Sequence, residues 1–182
     1  MKNLKVLTSN IRKIVAISLL LTFFSANLPA QTITKNSLPK DLKEARMNFQ
    51  MDFSHALIFG MSEKEFAKFE EDWNKDKISV IKKFKTGANM GLGKGFKIGD
   101  YKEAVYTVKV TVSTITEEGY MICDVDIVDQ QNKNRFHIDQ LTGGKEPSIS
   151  VGTKLARIKI WAALTGKKFG RMLKSALSNK EK

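Results

Sequence analysis

The stretch AVYTVKVTVSTIT, residues 104–116, decides the fold. Tyr106, Val108, Val110 and Val112 fall on one side of an extended chain, and Thr107, Lys109, Thr111 and Ser113 on the other. Side chains alternate across a strand with a period of two, and β-branched residues suit a pleated surface buried on one face. Glu117-Glu118-Gly119 then turns the chain. Tyr120 to Asp129 alternates again, with Met121, Cys123, Val125 and Ile127 opposite Asp124 and Asp126. Gln130 to Asn134 makes a second turn, and Arg135 to Gln140 is a shorter strand with Phe136 and Ile138 on one side. Three consecutive antiparallel strands with one apolar face need a cover.

The cover is predicted at the C-terminus. After Gly143-Gly144 and Pro147, Thr153 caps a long helix running to about Ser178. At 100° per residue, Leu155, Ile158, Trp161, Ala162, Phe169, Met172, Leu173, Ala176 and Leu177 fall on one broad side. Arg157, Lys167, Lys168, Arg171 and Lys174 fall on the other, with Ile160 and Leu164 exposed beside them. Gly166 and Gly170 lie at one edge of the apolar stripe and predict a close backbone approach, to the sheet.

Working back from the sheet, Ser62-Glu63-Lys64-Glu65 is a capping box, and Met61 with Phe66 forms its hydrophobic staple. Phe66, Phe69 and Trp73 recur at helical spacing. Ile78, Ile81 and Phe84 extend a second helical piece to about Lys85. Met51 to Phe59 reads as a first strand, and residues 31–50, containing Pro39, as a mobile lead-in. The fold expected is α+β: a mostly antiparallel sheet of about four strands, covered on one face by helices, in a single domain over 51–178 with a tail at 179–182.

The first thirty residues read as an address. Lys2, Lys5, Arg12 and Lys13 precede an apolar run, Ile14 to Phe24, and small turn-prone residues end at Ala30. A basic segment, a short apolar segment and a small residue at the cut make the layout of a secretory signal peptide. A run of that length is too short to span the roughly 30 Å of hydrocarbon comfortably. The expected location is periplasmic or secreted. Without those thirty residues the remaining chain carries +8, and residues 147–182 account for all of it, with nine basic groups and one acid.

The chemistry-bearing candidates are few. A single cysteine builds neither an intramolecular disulfide nor a metal finger, and Cys123 lies in an alternating apolar segment, where a buried thiol is expected. Gly87, Gly91, Gly93 and Gly95 surround Lys94, but Ala88 stands where a phosphate loop needs its first glycine and Gly95 where it needs Ser or Thr, so a flexible connector is expected. Asp124, Asp126 and Asp129 lack the glycine and distal Glu of a calcium loop. His55 and His137 have no ligands at metal spacing, though Arg135, His137 and Asp139 share a strand face. No catalytic motif, cofactor site or metal site is expected.

The segments FAKFEEDW (Phe66–Trp73), Tyr106–Thr116 and CDVDIVD (Cys123–Asp129), with Gly143-Gly144 before the last helix, resemble a group of small bacterial envelope proteins of uncharacterised function. The layout is also similar to the small α+β domains of envelope lipoproteins resembling the N-terminal domain of TolB, although no lipid-acceptor Cys follows the apolar run. The resemblance implies assembly, docking or scaffolding rather than catalysis.

The functional expectation is an exported, non-catalytic envelope module. It would dock an envelope protein, or an anionic membrane or polysaccharide surface, through Arg157, Lys167, Lys168, Arg171 and Lys174. Export argues against nucleic acid as the partner. Two other readings are a carrier with an apolar pocket between Trp161, Phe169 and the Tyr106 face, and a hydrolase joining His137 to an acid and a hydroxyl. N-terminal sequencing of the exported protein is expected to find a chain cut near Ala30; a chain still beginning at Met1 overturns cleavage.

Overall fold

The computed structural model describes residues 31–38, 42, 46–143 and 152–178. The expectations for residues 1–30, for the break at Gly144 and Pro147 and for the tail at 179–182 lie outside the described residues. Eight strands are β1 (Ile33–Asn36), β2 (Arg46–Asp52), β3 (Leu57–Ile58), β4 (Met61–Ser62), β5 (Lys97–Gly99), β6 (Tyr106–Ile115), β7 (Met121–Asp129) and β8 (Asn134–Leu141). The helices among the described residues are α1 (Glu63–Phe69), α2 (Trp73–Leu92) and α3 (Lys154–Ser178).

The fold is α+β, but the sheet is mixed and has eight strands rather than about four. Its main order is β1-β8-β7-β6-β2-β5. The β6–β7–β8 meander is antiparallel, as the two short turns require. β2 lies parallel to both β5 and β6, and β3 parallel to the far end of β6. A parallel neighbour needs a long crossover, which α1 and α2 supply.

Two expectations fail in the N-terminal half. The described parts of residues 31–50 are not a mobile lead-in, because β1 pairs with β8 and Arg46 to Gln50 form most of β2. The strand expected over Met51–Phe59 is two pieces. The Asp52 carboxylate accepts the Ser54 amide at 2.8 Å and the Ser54 hydroxyl at 2.9 Å, an Asx-type turn that breaks the strand before β3.

The alternation places the core. Val108, Val110, Val112, Met121, Cys123, Val125, Ile127, Phe136 and Ile138 are buried. Thr107, Lys109, Thr111, Asp124, Asp126 and His137 are half-buried on the uncovered side. Aromatic rings tie the layers: Phe49 of β2 meets Phe84 of α2 at 5.7 Å, and Phe84 stacks on Phe169 of α3 at 6.4 Å.

The capping box forms at the start of α1: the Ser62 hydroxyl accepts the Glu65 amide, and Glu65 Oε2 accepts the Ser62 amide at 3.0 Å. The helical pattern from Phe66 to Trp73 is nevertheless interrupted at Glu70–Asp72, so Phe66 and Trp73 are buried while Phe69 is 66% exposed.

α2 does not stop near Lys85. It continues through Gly87 and Gly91 and ends at Gly93, whose φ of +82° is a backbone conformation glycine adopts without penalty. The Asn89 side chain then donates to Ile98 O at 2.9 Å and accepts from Ile98 N at 2.8 Å, binding β5 to the helix. The expected glycine connector is therefore only residues 93–95.

The reason α2 carries glycines is α3. An added Cβ at Gly87 would lie 2.0 Å from Ala163 O, at Gly91 2.2 Å from Lys167 O, at Gly166 2.2 Å from Phe84 O and at Gly170 2.2 Å from Ala88 O. Gly166 and Gly170 thus approach α2, not the sheet as expected. Contacts progress in the same direction along both helices, from Asp76–Lys159 through Phe84–Gly166 to Ala88–Gly170, so the helices are parallel.

Gly87→Ala and Gly166→Ala each place a methyl where a carbonyl oxygen now lies. Overpacking costs about 1–3 kcal/mol and the better helix propensity of Ala returns at most about 1 kcal/mol. Each variant is expected to melt about 3–8 °C lower by circular dichroism. An unchanged melting temperature would contradict the backbone contact.

Candidate functional site

Helix α3 begins where expected: the Thr153 hydroxyl accepts the Ala156 amide at 3.3 Å. Ile158, Trp161, Ala162, Phe169, Leu173, Ala176 and Leu177 are buried. Trp161 sits on Tyr120 with ring centroids 4.1 Å apart. The apolar stripe is occupied by the sheet and its turns, which leaves the cations to the remaining arc.

Those five cations do not share one environment. Arg171 and Lys174 are exposed. Lys167 is half-buried, its backbone against Gly87 and Gly91 of α2. Lys168 is half-buried on the side away from α2, and burial pulls its ammonium below the ordinary lysine value. Arg157 lies against the β6–β7 turn at Gly119, and the Glu118 carboxyl is held below its ordinary value by the neighbouring Thr116 side chain and the local backbone first and by the Arg157 charge last. The outward group on α3 is therefore Lys167, Arg171 and Lys174, with Ile160, 39% exposed, beside them. Leu164 is half-buried against Gly143 rather than exposed.

Sequence reasoning missed the second half of this surface. Lys75, Lys82, Lys83 and Met90 of α2 are exposed as well. Their signal was present as three lysines at helical spacing, but residues 31–146 are neutral in sum, and that average concealed them. Together α2 and α3 hold twelve Lys and Arg, five on one helix and seven on the other, against Asp76 as the single acid. The eight strands hold five basic and five acidic residues.

The uncovered sheet face handles its charges internally. His137 Nδ1 meets Asp126 Oδ1 at 2.7 Å, and the Asn134 amide donates to the same carboxylate oxygen. The register extends this pair into a cross-strand row of Lys35, His137, Asp126 and Lys109. The acid sought for His137 is thus present, but no hydroxyl stands in that row. Asp129, at the end of β7, accepts the Gln131 and Lys133 amides and a two-pronged contact from Arg135, 2.8 Å to Nε and 2.7 Å to Nη2.

Trp161 lies by Tyr120, at the end of the β6–β7 hairpin near its turn, while Tyr106 pairs with Asp129 at the other end. Phe169 is stacked on Phe84. Cys123 is buried in the sheet, as its alternating apolar segment predicts, and burial drives its thiol above the ordinary value. Among the described residues no group of three His, Cys, Asp or Glu could hold a metal ion, and no helix is long and apolar enough to cross a membrane.

No protein-family model and no curated protein matches the chain. Among solved structures, a PelC variant dodecamer from Paraburkholderia phytofirmans is similar at a TM-score of 0.38 and 9% identity, over 78% of this chain and 96% of that one. A likeness of that size carries no argument about function.

Asp129 gives a pH test of the hairpin. Burial opposes its charge, but the Lys133 amide, the Arg135 guanidinium and the Gln131 amide outweigh it and hold the carboxyl below the usual range. A lowered folded-state pKa stabilises above the unfolded value of about 4, and that contribution is lost as pH falls through the folded value. The melting temperature of Asp129→Asn is expected to lie below wild type at neutral pH, with the gap closing below about pH 4. A gap independent of pH would show that the charge contributes nothing.

Proposed function

We propose that this chain is an exported, non-catalytic envelope module that docks an anionic surface through its C-terminal helix. The observation that carries the reading is the division of α3. Its apolar side is buried, and Lys167, Lys168, Arg171 and Lys174 have no carboxylate partner among the described residues. Lys159 of the same helix does meet an acid, Asp76 of α2 at 2.6 Å, and that pair lies between the two helices. Export rests on the leader-like composition of residues 1–30.

An anionic surface suits unpaired cations because each Lys or Arg near it contributes about 1 kcal/mol at low ionic strength. Screening sets in within about 8 Å at physiological salt, so the attachment is weak and reversible. The protein lacking residues 1–30 is expected to co-sediment with phosphatidylglycerol-containing vesicles at low salt, to be released as salt rises, and to ignore vesicles of phosphatidylcholine alone. Equal binding to both, or no binding at low salt, refutes the reading.

A further inference from the structure

We infer that the docking surface is formed by α2 and α3 together, and that its target is a phospholipid bilayer, which Met90 and Ile160 enter. The inference rests on the anionic-surface reading above and specifies where the surface is and what it meets.

Geometry comes first. On a helical wheel Lys75, Lys82, Lys83 and Met90 fall within about 100°, opposite Phe84 and Ala88 of the buried side. Ile160, Lys167, Arg171 and Lys174 fall within about 60°, opposite Ile158, Ala162 and Phe169. Because the helices are parallel and both lie on the same sheet, the two arcs point the same way. The glycine seam brings the backbones into contact, so no ridge of side chains separates them. The result is one strip with six cations.

Charge pairing spares this strip. The acids that helix cations reach are Glu63, Asp76 and Asp100, and they hold Lys77, Lys159 and Lys85. All three of those lysines lie off the two arcs. The six cations of the strip have no carboxylate partner among the described residues, which is complementary to an anionic plane.

The apolar residues choose among anionic targets. Met90 is 65% exposed and Ile160 39% exposed. By the helix register they stand near opposite ends of the strip, about 18 Å apart. A soluble polyanion offers nothing to such side chains. The boundary of headgroups and acyl chains takes apolar side chains between cations, as amphipathic surface helices do.

The test compares three variants with wild type on phosphatidylglycerol-containing vesicles and on soluble polyphosphate, with circular dichroism to confirm that each is folded. Lys75→Gln/Lys82→Gln/Lys83→Gln is expected to lose low-salt vesicle binding as much as Lys167→Gln/Arg171→Gln/Lys174→Gln does. Met90→Gln/Ile160→Gln keeps every charge, and is expected to lose about tenfold in vesicle affinity at physiological salt while binding polyphosphate as wild type does. If the α2 variant binds like wild type while the α3 variant does not, the two-helix surface is overturned and the α3 reading stands. If Met90→Gln/Ile160→Gln binds vesicles like wild type, the bilayer is overturned as the target. Wild type that ignores anionic vesicles at low salt removes both readings.

Discussion

Two helix backbones touch in this protein, and the rest of the layer follows from that contact. Gly87 and Gly91 on α2 face Gly166 and Gly170 on α3, each leaving no room for a Cβ beside a carbonyl oxygen of the other helix. Glycine inside a helix costs about 1 kcal/mol relative to Ala, so four of them are an appreciable penalty. Close packing and Cα–H···O contacts across the seam offset it. The parallel arrangement adds a further cost, because aligned helix dipoles lie side by side. Two side chains reduce it: Asp76 sits in the positive first turn of α2, and the Lys174 ammonium lies beside Gly93 at the negative end.

A seam without side chains has a consequence for charge. Apart from Lys159, which reaches Asp76 between the helices, the helix lysines lie on the flanks and the outer side. The flanks meet acids at Glu63 and Asp100, and the outer side does not. The helix layer therefore carries a net charge of +11, while the strands balance to zero. Stability alone would favour mixing the signs, since like charges on one helix face repel by a few tenths of a kcal/mol per pair. The segregation is a property of the surface that the fold tolerates.

Local patterns were legible in the sequence, and contacts between distant segments were not. The valine alternation of β6, the Ser62–Glu65 box and the length of α3 each depend on residues a few positions apart. The parallel pairing of β2 with β6 joins residues separated by two helices, and no short pattern announces it. Met47, Phe49 and Met51 do alternate in β2, yet Pro39 and the charged residues before them suggested a loose segment. The glycines were misread for a physical reason. Gly87 and Gly91 look like punctuation, but their spacing of four is the spacing of Gly166 and Gly170, and two such pairs can form one seam. The candidate surface was half legible because only one of its two helices was recognised at full length.

The two polar faces of the molecule differ in kind. On the open sheet, His137, Asp126 and Asn134 satisfy one another between Lys35 and Lys109, and Arg135 grips Asp129 from two nitrogens. Cross-strand pairs of that sort stabilise a sheet face and leave little charge unspent. On the helix layer the opposite holds: six cations share a strip with two exposed apolar side chains, and the acid between the helices, Asp76, is already held by Lys159. A carboxylate placed among them would relieve their repulsion in solution, and it would weaken attraction to any anionic plane. The absence of such a carboxylate from both arcs, when the same helices hold their flanking lysines against acids, is the asymmetry from which the docking argument draws its force.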